Sequence, residues 1–310
     1  MLRWFLVAVL CAALTVPTIA GTVLTAGPVQ LGIRDDGALI EWDGILLDYI
    51  GLKLAGQGDA VTPGYPYEAW GVAASGIAGG APYVGNLTLV SFTTVGSTAT
   101  SVVTLGTLPD LQVTHLFEPA VWDGNGALFK VTVSMANLGS STLTDLRYVR
   151  VVDFDVPPTP FVERITVGGL PATNLLLVHN NGFATANPLA VTSPLGSFTP
   201  NTNVSDWGPE DQGTYVLLGF GDLEANAVKQ FTMFYGAAYN ESAAMNMLTA
   251  VGAEVYSLAQ PASGAGNTFI LAFKGIGGTP LGGPVIPEPG TWALMLSGLA
   301  PVALRLRKKA

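Results

Sequence analysis

The 310-residue sequence predicts an all-β protein: a large antiparallel β-sandwich with one packed helix near its C-terminal part, plus a C-terminal transmembrane helix. Three observations carry this. Apolar residues recur with period two along most of the chain, as half-buried strands require. Turn formers are abundant, with 38 glycines and 21 prolines, and only 11% of residues are charged. A single stretch of the body, after Asn240, changes to helical composition.

The segments follow in chain order. Residues 1–20 read as a signal peptide: Arg3 is the positive start, Trp4 to Val16 the apolar core, and Pro17 the break. Thr18-Ile19-Ala20 supplies small residues ahead of a cut between Ala20 and Gly21. Cys11, the one cysteine, lies in this segment, and Leu10 before it is too large for a lipoprotein cut. A mature chain beginning at Gly21 then has no thiol, which excludes a disulfide, a cysteine nucleophile and thiolate metal sites.

Residues 21–274 form the sandwich body. In LQVTHLFEP, Val113, His115 and Phe117 share one face. In KVTVSMANL, Val131, Val133 and Met135 point one way while Thr132 and Ser134 point the other. NLTLVSFTTV, SVVTLG, DLRYVRVVDFD, NLLLVHN, TYVLLGF and KQFTMFYGAA read as further strands. Asp123-Gly124-Asn125-Gly126, Pro157-Pro158, Gly168-Gly169 and Asn180-Asn181-Gly182 mark turns between them. In ESAAMNMLTAVGAEVYSLAQP a helix is expected, capped by Asn240, with Met245, Leu248 and Val251 on one face and Pro261 barring its continuation. NTFILAFKG is the last strand, and residues 275–286, opening with GIGGTPLGGP, read as a flexible Gly/Pro spacer. The body shows no internal repeat and no boundary that divides it.

Residues 287–310 combine three parts: Pro287-Glu288-Pro289, an apolar helix over 291–304, and the basic end Arg305, Arg307, Lys308 and Lys309. At about 1.5 Å per residue the helix is roughly 21 Å long, a minimal span of a ~30 Å hydrocarbon core. The basic end belongs on the cytoplasmic side, with the body outside. Motif, helix and basic end in this order, on a chain with a signal peptide, resemble the PEP-CTERM sorting signal of exported bacterial proteins. The resemblance implies recognition of Pro287, Glu288 and Pro289 by an exosortase-like membrane enzyme, transient anchoring in the inner membrane, and processing near the motif. In the body, VTHLFEPAVWDGNGALFKVTVSMANLGSSTLTDLRYVRVVDFDVPPTPF and FYGAA…VGAEVYSLAQ…TFILAFKG resemble a β-rich module of exported bacterial proteins that has no assigned activity.

Charge narrows the function. Without the basic ends and Glu288, 8 basic side chains face 21 acidic ones, a net charge of −13. Such a body does not track nucleic-acid phosphates and attracts cations. Asp153 and Asp155, two apart on a strand, project from one face, with Asp145 and Arg147 further along it. Convergent carboxylates of this kind hold Ca²⁺ or act as an acid/base pair. The competing reading is a surface network in which Arg147 or Arg150 neutralises them. Asp206-Trp207-Gly208-Pro209-Glu210-Asp211 reads as a solvated acidic loop with a packed Trp, and lacks EF-hand spacing. In GYPYEAWG, Tyr65, Tyr67 and Trp70 either form a carbohydrate platform or cover an end of the core. His115 reads as a hydrogen-bonded core residue, and His179 sits at a strand-to-turn junction. Gly76 to Gly80 has no Lys and opens no helix, so it is not a nucleotide loop. No GxSxG elbow, P-loop or HExxH helix is present. The expectation is a noncatalytic exported protein of the cell envelope or extracellular matrix, associated with exopolysaccharide. The alternative is a Ca-dependent glycan-binding domain or a carbohydrate-active enzyme.

Overall fold

The computed structural model describes residues 21–42 and 49–283. The expected signal peptide, its expected cleavage position after Ala20, the Pro287-Glu288-Pro289 segment and the expected transmembrane helix lie outside the described residues. Among those described, no helix is long and apolar enough to cross a membrane.

The strands are β1 (Thr22–Ala26), β2 (Val29–Ile33), β3 (Glu41–Trp42), β4 (Tyr49–Ile50), β5 (Leu52–Leu54), β6 (Gly58–Asp59) and β7 (Glu68–Ala74). They continue as β8 (Ile77–Ala81), β9 (Leu87–Val95), β10 (Thr98–Leu105), β11 (Leu108–Trp122), β12 (Gly126–Asn137) and β13 (Leu143–Phe154). The chain then forms β14 (Glu163–Gly168), β15 (Leu175–His179), β16 (Val204–Glu210), β17 (Gln212–Leu223) and β18 (Val228–Ala238). The helix α1 (Glu241–Val251), β19 (Val255–Gln260) and β20 (Thr268–Lys274) complete it.

The protein is mostly β, and its strand pairs are antiparallel. One sheet has nine strands in the order β16-β14-β19-β20-β18-β12-β11-β10-β9, and a second has five, β15-β17-β13-β7-β8. A four-stranded sheet, β1-β2-β5-β6, and the pair β3-β4 come from the N-terminal part. Buried side chains from the two larger sheets meet in one core. Phe117, Phe129, Val131, Val133 and Met233 come from the nine-stranded sheet, and Trp70, Tyr148, Val152 and Phe154 from the five-stranded one. The alternation read for β11 and β12 is therefore the core-facing row.

The outer faces are covered as well, which explains why central strands are apolar on both sides. On β20, Phe269, Leu271 and Phe273 face the main core, while Ile270 and Ala272 lie under α1. Met247 and Leu248 of α1 pack there, and full burial of such side chains is worth about 1.5–3 kcal/mol each. The outer face of the five-stranded sheet, with Val149, Val151, Tyr215 and Leu217, is covered by Ala184 and Ala186 of the connection after β15.

Two local expectations change. Asn240 caps α1 as read, its side chain accepting from the Ala243 amide at 2.9 Å. The helix ends at Gly252, however, not at Pro261. Gly252 adopts φ +63°, its amide and that of Ala253 return to the Thr249 and Leu248 carbonyls, and Lys274 Nζ donates to the Val251 carbonyl. VYSLAQ is thereby freed to become β19, and the buried helix face is Ala243, Ala244, Met247 and Leu248. The segment after β20 is pinned to the body. The buried Glu254 carboxylate accepts from the amides of Gly275, Ile276 and Gly278 at 2.9–3.0 Å, and Ile276 is fully buried. The flexible spacer expected from residue 275 is thus part of the fold to at least Gly278.

Candidate functional site

The site forms at the C-terminal end of β13, where that strand lies between β17 and β7. The Asp153 amide donates to the Tyr67 carbonyl at 2.9 Å and the Asp155 amide to the Ala60 carbonyl at 2.8 Å. Strand alternation between them turns both side chains toward the same cavity of about 350 Å³. Both residues are almost wholly buried, at 4% and 1% exposure. Asp211, in the turn between β16 and β17, is exposed and completes the acidic part of the lining.

Aromatic rings make the rest of the wall. Tyr65 and Tyr67 lie on the lead-in to β7, and the β7-β8 register, which pairs Trp70 with Ala81, brings Tyr83 back beside them. Tyr67 and Tyr83 stack with centroids 5.8 Å apart, and Tyr65 stacks on Tyr83 at 6.3 Å. The Tyr67 hydroxyl donates to the Ala184 carbonyl at 2.9 Å, which fixes that ring, whereas Tyr65 and Tyr83 are 74% and 62% exposed. Phe161 and Phe183 close the pocket. Phe161 holds φ +69°, a left-handed backbone that bulky side chains rarely adopt.

Behind Asp153 and Asp155 sits Glu163 of β14, fully buried. Its Oε1 accepts from the Gln212 amide at 2.6 Å. Gln212 in turn donates to the Glu163 and Trp207 carbonyls at 3.0 and 2.9 Å. The second oxygen of Glu163 and one oxygen each of Asp153 and Asp155 are buried without a hydrogen-bond partner. Native proteins rarely leave such atoms unmatched, so those of Asp153 and Asp155, which line the pocket, mark it as a place prepared for a proton or a ligand.

Electrostatics agrees. Burial, then the neighbouring Asp155 and Asp211, push Asp153 up to about 8. Burial and Asp211 raise Asp155 to about 6, against the Phe161 backbone amide, which lowers it. Burial raises Glu163 to about 9 in spite of the Gln212 amide, with the three aspartates adding to the rise. Near neutral pH, Asp153 and Glu163 hold protons while Asp155 is largely ionised. Among the described residues no group of three or more His, Cys, Asp or Glu side chains is arranged to hold a metal ion.

The structure distributes the sequence candidates as follows. Asp153 and Asp155 share a face as read, but Asp145 and Arg147 do not extend it. Asp145 adopts φ +53°, register shifts flank Leu146, and the two residues pair with each other at 2.8 Å at the other end of β13. Neither arginine neutralises the aspartates, because Arg150 is fully buried against Glu68. Of the GYPYEAWG aromatics, Tyr65 and Tyr67 line the pocket, while Trp70 is core, its Nε1 donating to the Asp36 carbonyl at 3.0 Å. The expected 206–211 loop is mostly strand β16, with Trp207 edge-on to Phe198 and donating to Glu210 at 2.9 Å. His115 is a core residue 2.9 Å from the Tyr148 hydroxyl, and His179 stacks on Tyr215. Sequence reasoning missed Tyr83, Phe161, Phe183 and Glu163. The one local signal was Tyr83, two residues beyond a strand that forms a hairpin with the Tyr65–Trp70 stretch.

Fold and site together define an antiparallel β protein with a pocket of uncompensated carboxyl groups under exposed aromatic rings. In comparison with known proteins, no protein-family model, no curated protein and no solved structure matches the chain.

Proposed function

We propose that this is an exported, noncatalytic protein of the cell envelope or extracellular matrix whose β-sandwich body binds carbohydrate, such as exopolysaccharide, at the Tyr65–Asp153 pocket. Export and sorting rest on the terminal segments: cleavage between Ala20 and Gly21, transient insertion in the inner membrane, and processing at Pro287-Glu288-Pro289 by an exosortase-like enzyme. Mass spectrometry of the chain from its native envelope tests this. The expected product begins at Gly21 and lacks residues 291–310, and deletion of Pro287 to Pro289 leaves the C-terminus intact. A mature chain that retains residues 291–310 removes the sorting claim.

The observation that carries carbohydrate binding is the set of unmatched buried carboxyl oxygens beneath exposed rings. Rings pack on the apolar faces of sugars, and carboxyl groups accept from or donate to their hydroxyls. A ligand at about 100 times its Kd raises stability by about 2.7 kcal/mol. A panel of oligosaccharides, with and without Ca²⁺, should therefore contain one that raises the melting temperature, and Tyr83→Ala should abolish the shift. A flat panel under both conditions removes the binding reading.

A second reading, a carbohydrate-active enzyme, is favoured by one observation: Asp153 and Asp155 are pushed to different values, about 8 and about 6. Neighbouring carboxyl groups split in this way suit a proton donor and a base. It predicts release of new reducing ends, lost in Asp153→Asn with melting retained.

A further inference from the structure

We propose that the pocket selects a ligand carrying a positively charged amine and, resting on the carbohydrate reading, that this ligand is an amino sugar with a free, unacetylated nitrogen. Two independent features of the same cavity lead to it: the missing counter-charge on its floor, and the rings of its wall.

Asp153, Asp155 and Asp211 line the pocket and Glu163 interacts electrostatically with them, yet Arg147, Arg150 and Arg164 pair with none of the four. The arginines nearest in sequence are committed elsewhere. Arg150 is held by Glu68, and Arg147 by Asp145. Arg164 donates to the carbonyls of Ala262, Asp206 and Gly208 at 2.8–2.9 Å. A structural carboxylate cluster ordinarily recruits a cation from its own chain, because burying like charges together is costly. Here none of these three arginines supplies it: Asp153 and Glu163 keep their protons near neutral pH, but Asp155 is largely ionised, and the buried oxygens of Asp153 and Asp155 are left unmatched.

The wall suits a cation too. Aromatic faces carry negative potential and attract ammonium groups, and cages of such rings recognise alkylated amines. Tyr65, Tyr67, Tyr83, Phe161 and Phe183 line the same cavity as the three aspartates, with Tyr83 stacked on both Tyr65 and Tyr67. An ammonium group also brings N–H donors to oxygens that have none. A neutral sugar satisfies the oxygens without neutralising the charge, and a uronic acid is repelled by it. Only the amine answers both features.

The test is isothermal titration of the full-length chain in detergent at about pH 7, where Asp155 is largely ionised and most of the amine holds its proton. The probes are four tetrasaccharides, of glucosamine, N-acetylglucosamine, glucose and galacturonic acid, together with tetramethylammonium and Ca²⁺. The glucosamine tetramer should bind about tenfold or more tightly than its acetylated and neutral counterparts, and weaken with salt. Asp211→Asn, at an exposed position that keeps the fold, and Asp155→Asn should each erode that preference. Equal binding of the glucose tetramer overturns the amine inference and leaves the carbohydrate reading standing. Binding of tetramethylammonium without any tetramer supports the cation selectivity and overturns the sugar. Tight Ca²⁺ binding with no response to glucosamine makes the missing cation a metal and overturns the proposal. No binding of any probe overturns both.

Discussion

Arg150→Ala destabilises the protein by about 3–5 kcal/mol, a large part of the 5–15 kcal/mol that holds a typical domain folded. Arg150 of β13 and Glu68 of β7 are both fully buried and ion-paired across neighbouring strands. The Tyr235 hydroxyl donates to Glu68 Oε1 at 2.6 Å, and Arg150 Nε reaches the same hydroxyl at 2.7 Å. Burial alone pulls the Arg150 guanidinium down, but Glu68 and the Tyr235 and Tyr148 hydroxyls hold it well above its ordinary value. The pair also fastens the turn after β2: Arg150 donates to the Gly37 carbonyl at 3.2 Å, and Glu68 accepts from the Leu39 amide at 2.7 Å. Truncating Arg150 strands a carboxylate in the core, whereas replacing both partners by apolar residues removes the charge as well. Urea unfolding should therefore show a large drop in midpoint for Arg150→Ala and a partial recovery in Glu68→Leu/Arg150→Met. A drop under about 1 kcal/mol in the single variant would show that water reaches the pair.

The second large effect is on pH. Between pH 6.5 and about 8, Asp153 and Glu163 keep their protons in the folded chain, because their folded values are about 8 and about 9. In the unfolded chain, with ordinary values of 3.8 and 4.5, both have released them. The folded state binds more protons, so stability falls as pH rises through this window. Each group contributes about 1.4 kcal/mol per pH unit before their coupling reduces it, giving a loss of the order of 2 kcal/mol. Below pH 6.5 the trend is opposed by His115 and His179, both held below 6.5 by burial, which take up protons on unfolding. Melting temperatures should decline from pH 6.5 to 8, and Asp153→Asn or Glu163→Gln should flatten the decline and stabilise the protein at pH 8. A melting temperature that stays level or rises over that interval would mean that Asp153 and Glu163 are already ionised in the folded chain.

What could be read from the sequence was whatever depends on neighbours along the chain. The row Val131, Val133 and Met135 and the row Val113, His115 and Phe117 are buried as alternation predicts, since a strand's two faces are set by backbone geometry alone. The same rule placed Asp153 and Asp155 on one pocket. It failed at Asp145, where a positive φ and adjoining register shifts break the period. Asn240 was legible as a cap because its partner, Ala243, is three residues away. The helix end was misjudged because residues 255–260 have a composition that suits either element, and only pairing with β14 and β20 makes them a strand.

By itself, then, the sequence determined an antiparallel β body, the start of its helix and one pair of convergent aspartates. These follow from local periodicity and capping, which need no distant contact. Tertiary structure alone decided which charges are buried and what surrounds the aspartates. Arg150 meets Glu68 82 residues away in the chain, and Glu163 meets the Gln212 amide at a separation of 49. Tyr83, Phe161, Phe183 and Asp211 reach one cavity from four different connections. Desolvation and like-charge proximity, which set the chemistry of that cavity, are properties of packing between such distant segments, and no spacing within the sequence encodes them.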